Sequence, residues 1–277
     1  TPQFATDDIC CGGDGIPDGD DEVIVMHDMT VDSNAQFGTL TIYNDAVSTD
    51  ATIQLLITAG DTLTGQTGGG WNGDIFVTGT SVTITRTSFL RDEGVVTCNG
   101  LTATGGGTVG RALVHARSGG ELSVNGDITF SSSAAVRAQI LGSIGSGNVI
   151  DLTGNVSGTG RFFGGTGTQS TFNFTGTAAQ TVRMDSPLDM TYANIGISNP
   201  AGVSTDDVFT NTNMNGTFTV NSGGVFNQGT NDHAFEDNVS NAGTWNTNGN
   251  LDIDADFTNS GTFTSTGSDM ELSGDWN

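Results

Sequence analysis

The chain contains no lysine: its seven basic residues are all Arg, set against 31 acidic ones. Without a Gly-Lys-Ser/Thr sequence there is no phosphate-cradling loop of the P-loop kind. A net charge of -24 repels nucleic acid and anionic membrane surfaces, so neither is expected as a partner. No run of 18 apolar residues occurs, which excludes insertion by a transmembrane helix. His27, His115 and His233 are scattered, and none stands at zinc spacing from a Cys. Cysteine is scarce too, with Cys10, Cys11 and Cys98 only. The odd count leaves a free thiol or an intermolecular bond. Two readings stay open: a disulfide from Cys10 or Cys11 to the strand carrying Cys98, or unpaired thiols. No amphipathic helical window of useful length is present.

What fills the chain instead is Gly, Thr, Ser and Asn in short alternating runs. Glycine alone accounts for 42 residues, and charged residues make up only 14%. Such a composition can mark disorder, but the 15 Phe and the regular alternation argue for a packed core. The clearest order lies near the C-terminus. Val220, Val239, Phe257 and Trp276 recur at spacings of 19, 18 and 19, and Phe226, Trp245 and Phe263 at 19 and 18. Gly224, Gly243 and Gly261 follow the same step. A unit this short cannot bury an apolar face alone; stacked on its neighbours it can. The expected fold is all-β, a right-handed parallel β-solenoid with about 18–22 residues per coil and three short strands in each. Both aromatic series are expected in the core, with Gly and Asn at the corners and polar side-chain columns outside. Roughly a dozen coils would make a rod of about 60 Å. Residues 1–22 read as an acidic, Cys-containing entry segment, and 23–277 as one solenoid. The sequence stops at Asp275-Trp276-Asn277, in mid-coil. The solenoid is therefore expected to continue beyond 277 or to be covered by a partner, through self-association into a homo-oligomer or filament or through the rest of a longer chain.

Residues 172–226 carry a recognisable pattern. Phe172, Phe174, Gly176, Gln180 and Val182 come first, then Ile195, Ile197, Asn199, Gly202 and Val203, then Gly216, Phe218, Val220 and Phe226. This resembles the repeats of secreted surface proteins from Bacteroidota. The opening stretch Ile16 to Val25 is similar to the segment that enters such solenoids. The resemblance implies an extracellular or cell-surface parallel β-solenoid, exported by type IX secretion and used as an adhesin or appendage. No type IX sorting domain is visible.

Two acidic features invite a cation. Asp14, Asp18, Asp20, Asp21 and Glu22 form the densest cluster, and part of it is similar to the calcium repeats of thrombospondin type 3 modules. In the coil alignment Asp252 stacks on Glu271, Asp254 on Glu236 and Asp256 on Asp275, so each pair needs screening or a bound ion. Calcium is the cofactor these groups point to, although the rod itself requires none. Asp92 and Glu93 beside Arg91 are the best local match to a polysaccharide-active pair, and they are expected in a solvated loop. Trp71, in a Gly-rich stretch, is a candidate for stacking on sugars. The leading expectation is a non-catalytic extracellular building element. The alternative is a module that binds glycans or a cell surface; a β-helix enzyme ranks third.

Overall fold

The structure is a computed structural model. It describes residues 22–26, 28–44, 52–67, 72–81, 86–107, 110–131, 137–143, 147–158, 161–163, 170–182, 193–205, 213–214, 216–230, 232–266 and 269–277. Among them are 31 strands and no helix, and every strand pairing is parallel. The described strands follow one another around three faces in the same order, except that Gln180–Val182 on face 1 is followed by Ala193–Ile197 on face 3. Face 1 is an unbroken sheet of eleven strands, from Glu22–Val25 to Thr262–Ser265. Face 2 has a run of six strands, Met29–Val31 to Arg161–Phe163, and a run of four, Asn213–Met214 to Met270–Leu272. Face 3 has ten strands, Ala35–Phe37 to Phe257–Asn259, and Trp276 adds a bridge to Phe257. The chain is a parallel β-solenoid, about 50 Å long on face 1 at the usual strand spacing.

The strands form because apolar and polar residues alternate, sending every second side chain inward. In Thr39–Asn44, Leu40 and Ile42 are buried; in Glu121–Val124, Leu122 and Val124 are. The inward residues stack into columns. One runs Leu63, Val96, Leu122, Ile150, Phe172, Ile195, Phe218, Val239, Phe257 and Trp276. Each rung buries its apolar face only against the rungs above and below.

The coil length differs from the sequence expectation along much of the rod. Phe226 pairs with Trp245 and Trp245 with Phe263, at steps of 19 and 18. Upstream, Leu40 pairs with Ile75, Ile75 with Leu101 and Leu101 with Ile128, at steps of 35, 26 and 27. The longer coils have longer strands, eight residues in Asp74–Ser81 and Gly110–Arg117 against three in Val239–Asn241. Register is also corrected at one rung: Val239 pairs with Phe218, and Val220 with Asn241. A slip of two residues keeps both valines pointing inward, so alternation alone does not detect it.

Corner glycines explain the third repeated series. A Cβ on Gly243 would lie 2.3 Å from the Gly224 carbonyl oxygen, and one on Gly261 would lie 2.2 Å from that of Gly243. The corners stack too closely for any side chain.

Candidate functional site

Charge is distributed unevenly around the rod. Six of the seven Arg lie on four successive strands of face 2: Arg86 and Arg91, Arg111 and Arg117, Arg137, and Arg161. Arg91 is in register with His115, and Arg111 with Arg137. In Gly110–Arg117, Ala112, Val114 and Ala116 are buried, so Arg111, His115 and Arg117 take the outward positions. The six strands of this run contain a single acidic residue, Asp92. This strip was not anticipated from sequence. Its signal was present, because Arg86, Arg111, Arg137 and Arg161 recur every 24–26 residues. That is the step of the longer coils.

Asp92 and Glu93 are not together in a solvated loop. Asp92 ends the strand Arg86–Asp92 with no exposed surface, in register between Ile57 and Ala116. One carboxyl oxygen accepts the Gly94 N–H at 3.0 Å; Oδ2 is buried without a hydrogen-bond partner. Burial raises the Asp92 pKa to about 8, the Gly94 bond opposes the shift, and Glu121 and Glu93 add to it. Asp92 is thus a neutral acid at pH 7. With no accessible surface it cannot pair with Glu93 on a substrate. Glu93 instead sits between cations: Arg91 Nε donates to its Oε1 at 2.9 Å, and Arg117 Nε lies 3.4 Å from the same oxygen. Burial lowers the His115 pKa to about 4, helped by Arg117 and Arg91.

The same side of the rod is acidic farther along. Asp252 and Glu271 are in direct register on face 2 and both are exposed, as expected from the repeat. Glu236 and Asp254 are exposed beside them. Asp256 and Asp275 relate differently: Asp256 Oδ1 accepts the backbone N–H of Asp275 at 2.9 Å. Asn238 does the same for Asp256, and the series Asp232, Asn250, Asp269 repeats the bond at a second corner. Asp28, Asp74 and Asp127 accept backbone N–H groups of the next coil in the same way. Many of the acidic residues therefore hold corners together. A carboxylate accepting an N–H is a strong, charge-assisted bond.

Among the described residues no group of three or more His, Cys, Asp or Glu could hold a metal ion. Of the N-terminal cluster, Asp14, Asp18, Asp20 and Asp21 lie outside the described residues, and Glu22 is exposed at the start of face 1. Trp71, Cys10 and Cys11 also lie outside them. Cys98 is a free, buried thiol facing the core from Val95–Cys98, and burial pushes its pKa up. Its expected disulfide partners, Cys10 and Cys11, lie outside the described residues. Of the two ladders, Val220, Val239, Phe257, Phe226 and Trp245 are buried, Phe263 is partly covered, and Trp276 is 53% exposed on the last rung.

The motif residues Gln180 and Asn199 are structural. Gln180 Nε2 donates to the carbonyls of Leu152 at 3.0 Å and Gly154 at 2.8 Å. Its Oε1 accepts the Gly176 N–H at 3.1 Å and Asn199 Nδ2 at 2.8 Å. Asn199 Oδ1 in turn accepts the Ala201 N–H at 2.8 Å. Two buried amides wire three coils at one corner, every polar atom of Gln180 satisfied.

Fold and site together define a parallel β-solenoid with a charge-divided face. No protein-family model, curated protein or solved structure matches the chain.

Proposed function

We propose that the chain is a non-catalytic structural rod, a building element of an extracellular filament, appendage or large surface adhesin. The observation that carries this reading is the unbroken eleven-strand ladder of face 1. Every junction between coils is made by parallel backbone bonds on several faces at once, so tension along the rod is divided among many bonds. The resemblance of residues 172–226 to secreted surface repeats supports an address outside the cell. Its Gln180 and Asn199 fasten corners, as a spacer requires.

The rung carrying Phe263, Met270, Leu272 and Trp276 supports end-on stacking. Trp276 packs edge-on against Phe257 at a centroid distance of 4.8 Å, with its other side open. Another coil laid there, from the same chain or another copy, would extend both the aromatic column and the strand edge.

Light scattering on the native protein, with and without EDTA, tests the reading. A mass many times 28.4 kDa that Trp276→Asp abolishes is the expected result. Breakdown by EDTA would assign calcium to the acidic segment Asp14–Glu22. Turnover of a polysaccharide by the purified rod would overturn the non-catalytic reading.

A further inference from the structure

We propose that face 2 is a lateral docking surface for a second copy of this chain, bound antiparallel, with the arginine strip of each rod on the acidic columns of the other. This contact is separate from end-on stacking and does not rest on it.

Faces 1 and 3 are continuous, so both runs of face 2 occupy the same remaining side of the solenoid. That side is divided along its length. The strands Arg86–Asp92, Gly110–Arg117, Arg137–Ser143 and Arg161–Phe163 place Arg91, Arg111, Arg117, Arg137, Arg161 and His115 at outward register positions, whereas Arg86 is in register with Gly110 on the inward alternate; Asp92 is buried, and Glu93 and Glu121 lie at the edge. The strands His233–Phe235, Leu251–Ile253 and Met270–Leu272, with their flanking turns, carry Glu236, Asp252, Asp254 and Glu271, all exposed. No Arg lies within or beside those three strands.

Each strip is costly alone. Arg111 and Arg137 are in register on adjacent strands, and Asp252 and Glu271 likewise. Like charges directly opposed across a parallel pair repel. Glu93 relieves Arg91 and Arg117, but no ion pair within the described residues reaches Arg111, Asp252 or Glu271. One symmetry operation answers both strips. A two-fold axis across the face, midway between them, brings basic onto acidic twice and closes the pair. The strips match in size, four rungs against three, and their centres lie roughly 26 Å apart at about 4.8 Å per rung. Two chains of charge -24 repel at long range. At physiological salt that repulsion is screened beyond about 8 Å, whereas the facing strips are in contact. An acidic polysaccharide would satisfy the arginines only, leaving the acidic columns as they are.

The test is charge exchange followed by sedimentation of the full chain. With end-on stacking blocked by Trp276→Asp, the chain at about 0.15 M salt should sediment as a closed pair, twice 28.4 kDa, and at about 1 M salt as single rods; the charge variants are made on that background. Arg111→Glu alone, and Asp252→Arg with Glu271→Arg, should each weaken pairing by about tenfold or more. In the mixed pair one strip-to-strip contact is native and the other is charge-reversed, so both are complementary and heterodimers should form in preference to either homodimer. Circular dichroism and melting of each variant separate loss of pairing from loss of fold. A Trp276→Asp chain that stays monomeric at about 100 µM, well above a micromolar Kd, would overturn the proposal. So would pairing that ignores both sets of variants. A monomer retained on an immobilised sulfated polysaccharide through Arg111 would instead make the strip a site for an acidic polymer. Trp276→Asp should leave the pair intact, so failure of end-on stacking and failure of lateral pairing read out separately.

Discussion

The middle of the rod and its C-terminal coils solve one packing problem in two ways. Around residues 101–124 a coil of 27 residues turns Leu101, Ala103, Ala112, Val114, Ala116, Leu122 and Val124 inward. Around residues 245–257 a coil of 18 residues turns Trp245, Thr247, Leu251, Ile253 and Phe257 inward. Many small side chains fill the first section and a few large ones the second. The short coils depend on rings in contact: Trp245 lies 5.2 Å from Phe218, 5.5 Å from Phe226 and 5.8 Å from Phe235, with its indole N–H on Gln228 at 3.1 Å. In the middle the burden per residue is smaller and the strands are longer. A single substitution should therefore do more damage in the short coils.

Phe257→Asp breaks the comparison most strongly. Phe257 is fully buried between Trp245, Phe263 and Trp276. A carboxylate there should cost at least about 5 kcal/mol, because it removes the rings' shared contact and buries an unpaired charge. Hydrogen exchange should show the last three coils open while the coil carrying Ile150 keeps its protection, since solenoid rungs depend on their neighbours. Unchanged melting would refute the packing described for Phe257. Simultaneous loss of both regions would mean that the rod is a single cooperative unit.

The two regions should also fail at opposite ends of the pH scale. Asp92 in the middle has its pKa raised from 3.8 to about 8. The folded protein keeps this proton after the unfolded chain has lost it, so stability is full below pH 4 and falls as pH rises towards 8. Asp92→Asn removes that slope and should stabilise the middle by on the order of 4 kcal/mol at pH 7. His233, buried in the short coils against Phe226 and Phe235, has its pKa lowered from 6.5 to about 4, mainly by burial, with Asp232 opposing. Here stability is present above pH 6.5 and is lost as pH falls through 4. His233→Leu should flatten that acid limb, worth on the order of 3 kcal/mol. Denaturant melts from pH 4 to 9, followed by exchange in each region, check both slopes. A common pH response in the two regions would sink the distinction.

The unequal legibility of the two regions in the sequence has the same physical source. The short coils were readable because Phe226, Trp245 and Phe263 are rare, bulky and evenly spaced, and the corner Gly224, Gly243 and Gly261 cannot change. In the middle, Val, Leu, Ile and Ala substitute freely for one another inside, and the coil step drifts between 26 and 28. Alternation survives any shift of two residues, so it fixes the face but not the register. Asp92 was misplaced because Arg-Asp-Glu-Gly reads as a polar turn. Only the pairing of Asp92 with Ile57 and Ala116 shows that it faces inward. The arginine strip escaped because its period belongs to the longer coil.

The smallest expected effect concerns the outer surface of the short coils. Asn246 Nδ2 donates to Asn227 Oδ1 at 2.9 Å, one rung apart on face 1 and half-buried. Such a bond replaces bonds to water on both partners, so its net contribution is about 1 kcal/mol. Asn227→Ala and Asn246→Ala should each cost about that much, and the double variant should cost no more than either alone by more than a few tenths of a kcal/mol. Coupling of that size would mean that the short coils gain from side-chain ladders outside as well as from rings inside. Strict additivity would assign the stability of these coils to the aromatic column, and the contrast with the aliphatic middle would then rest on the core alone.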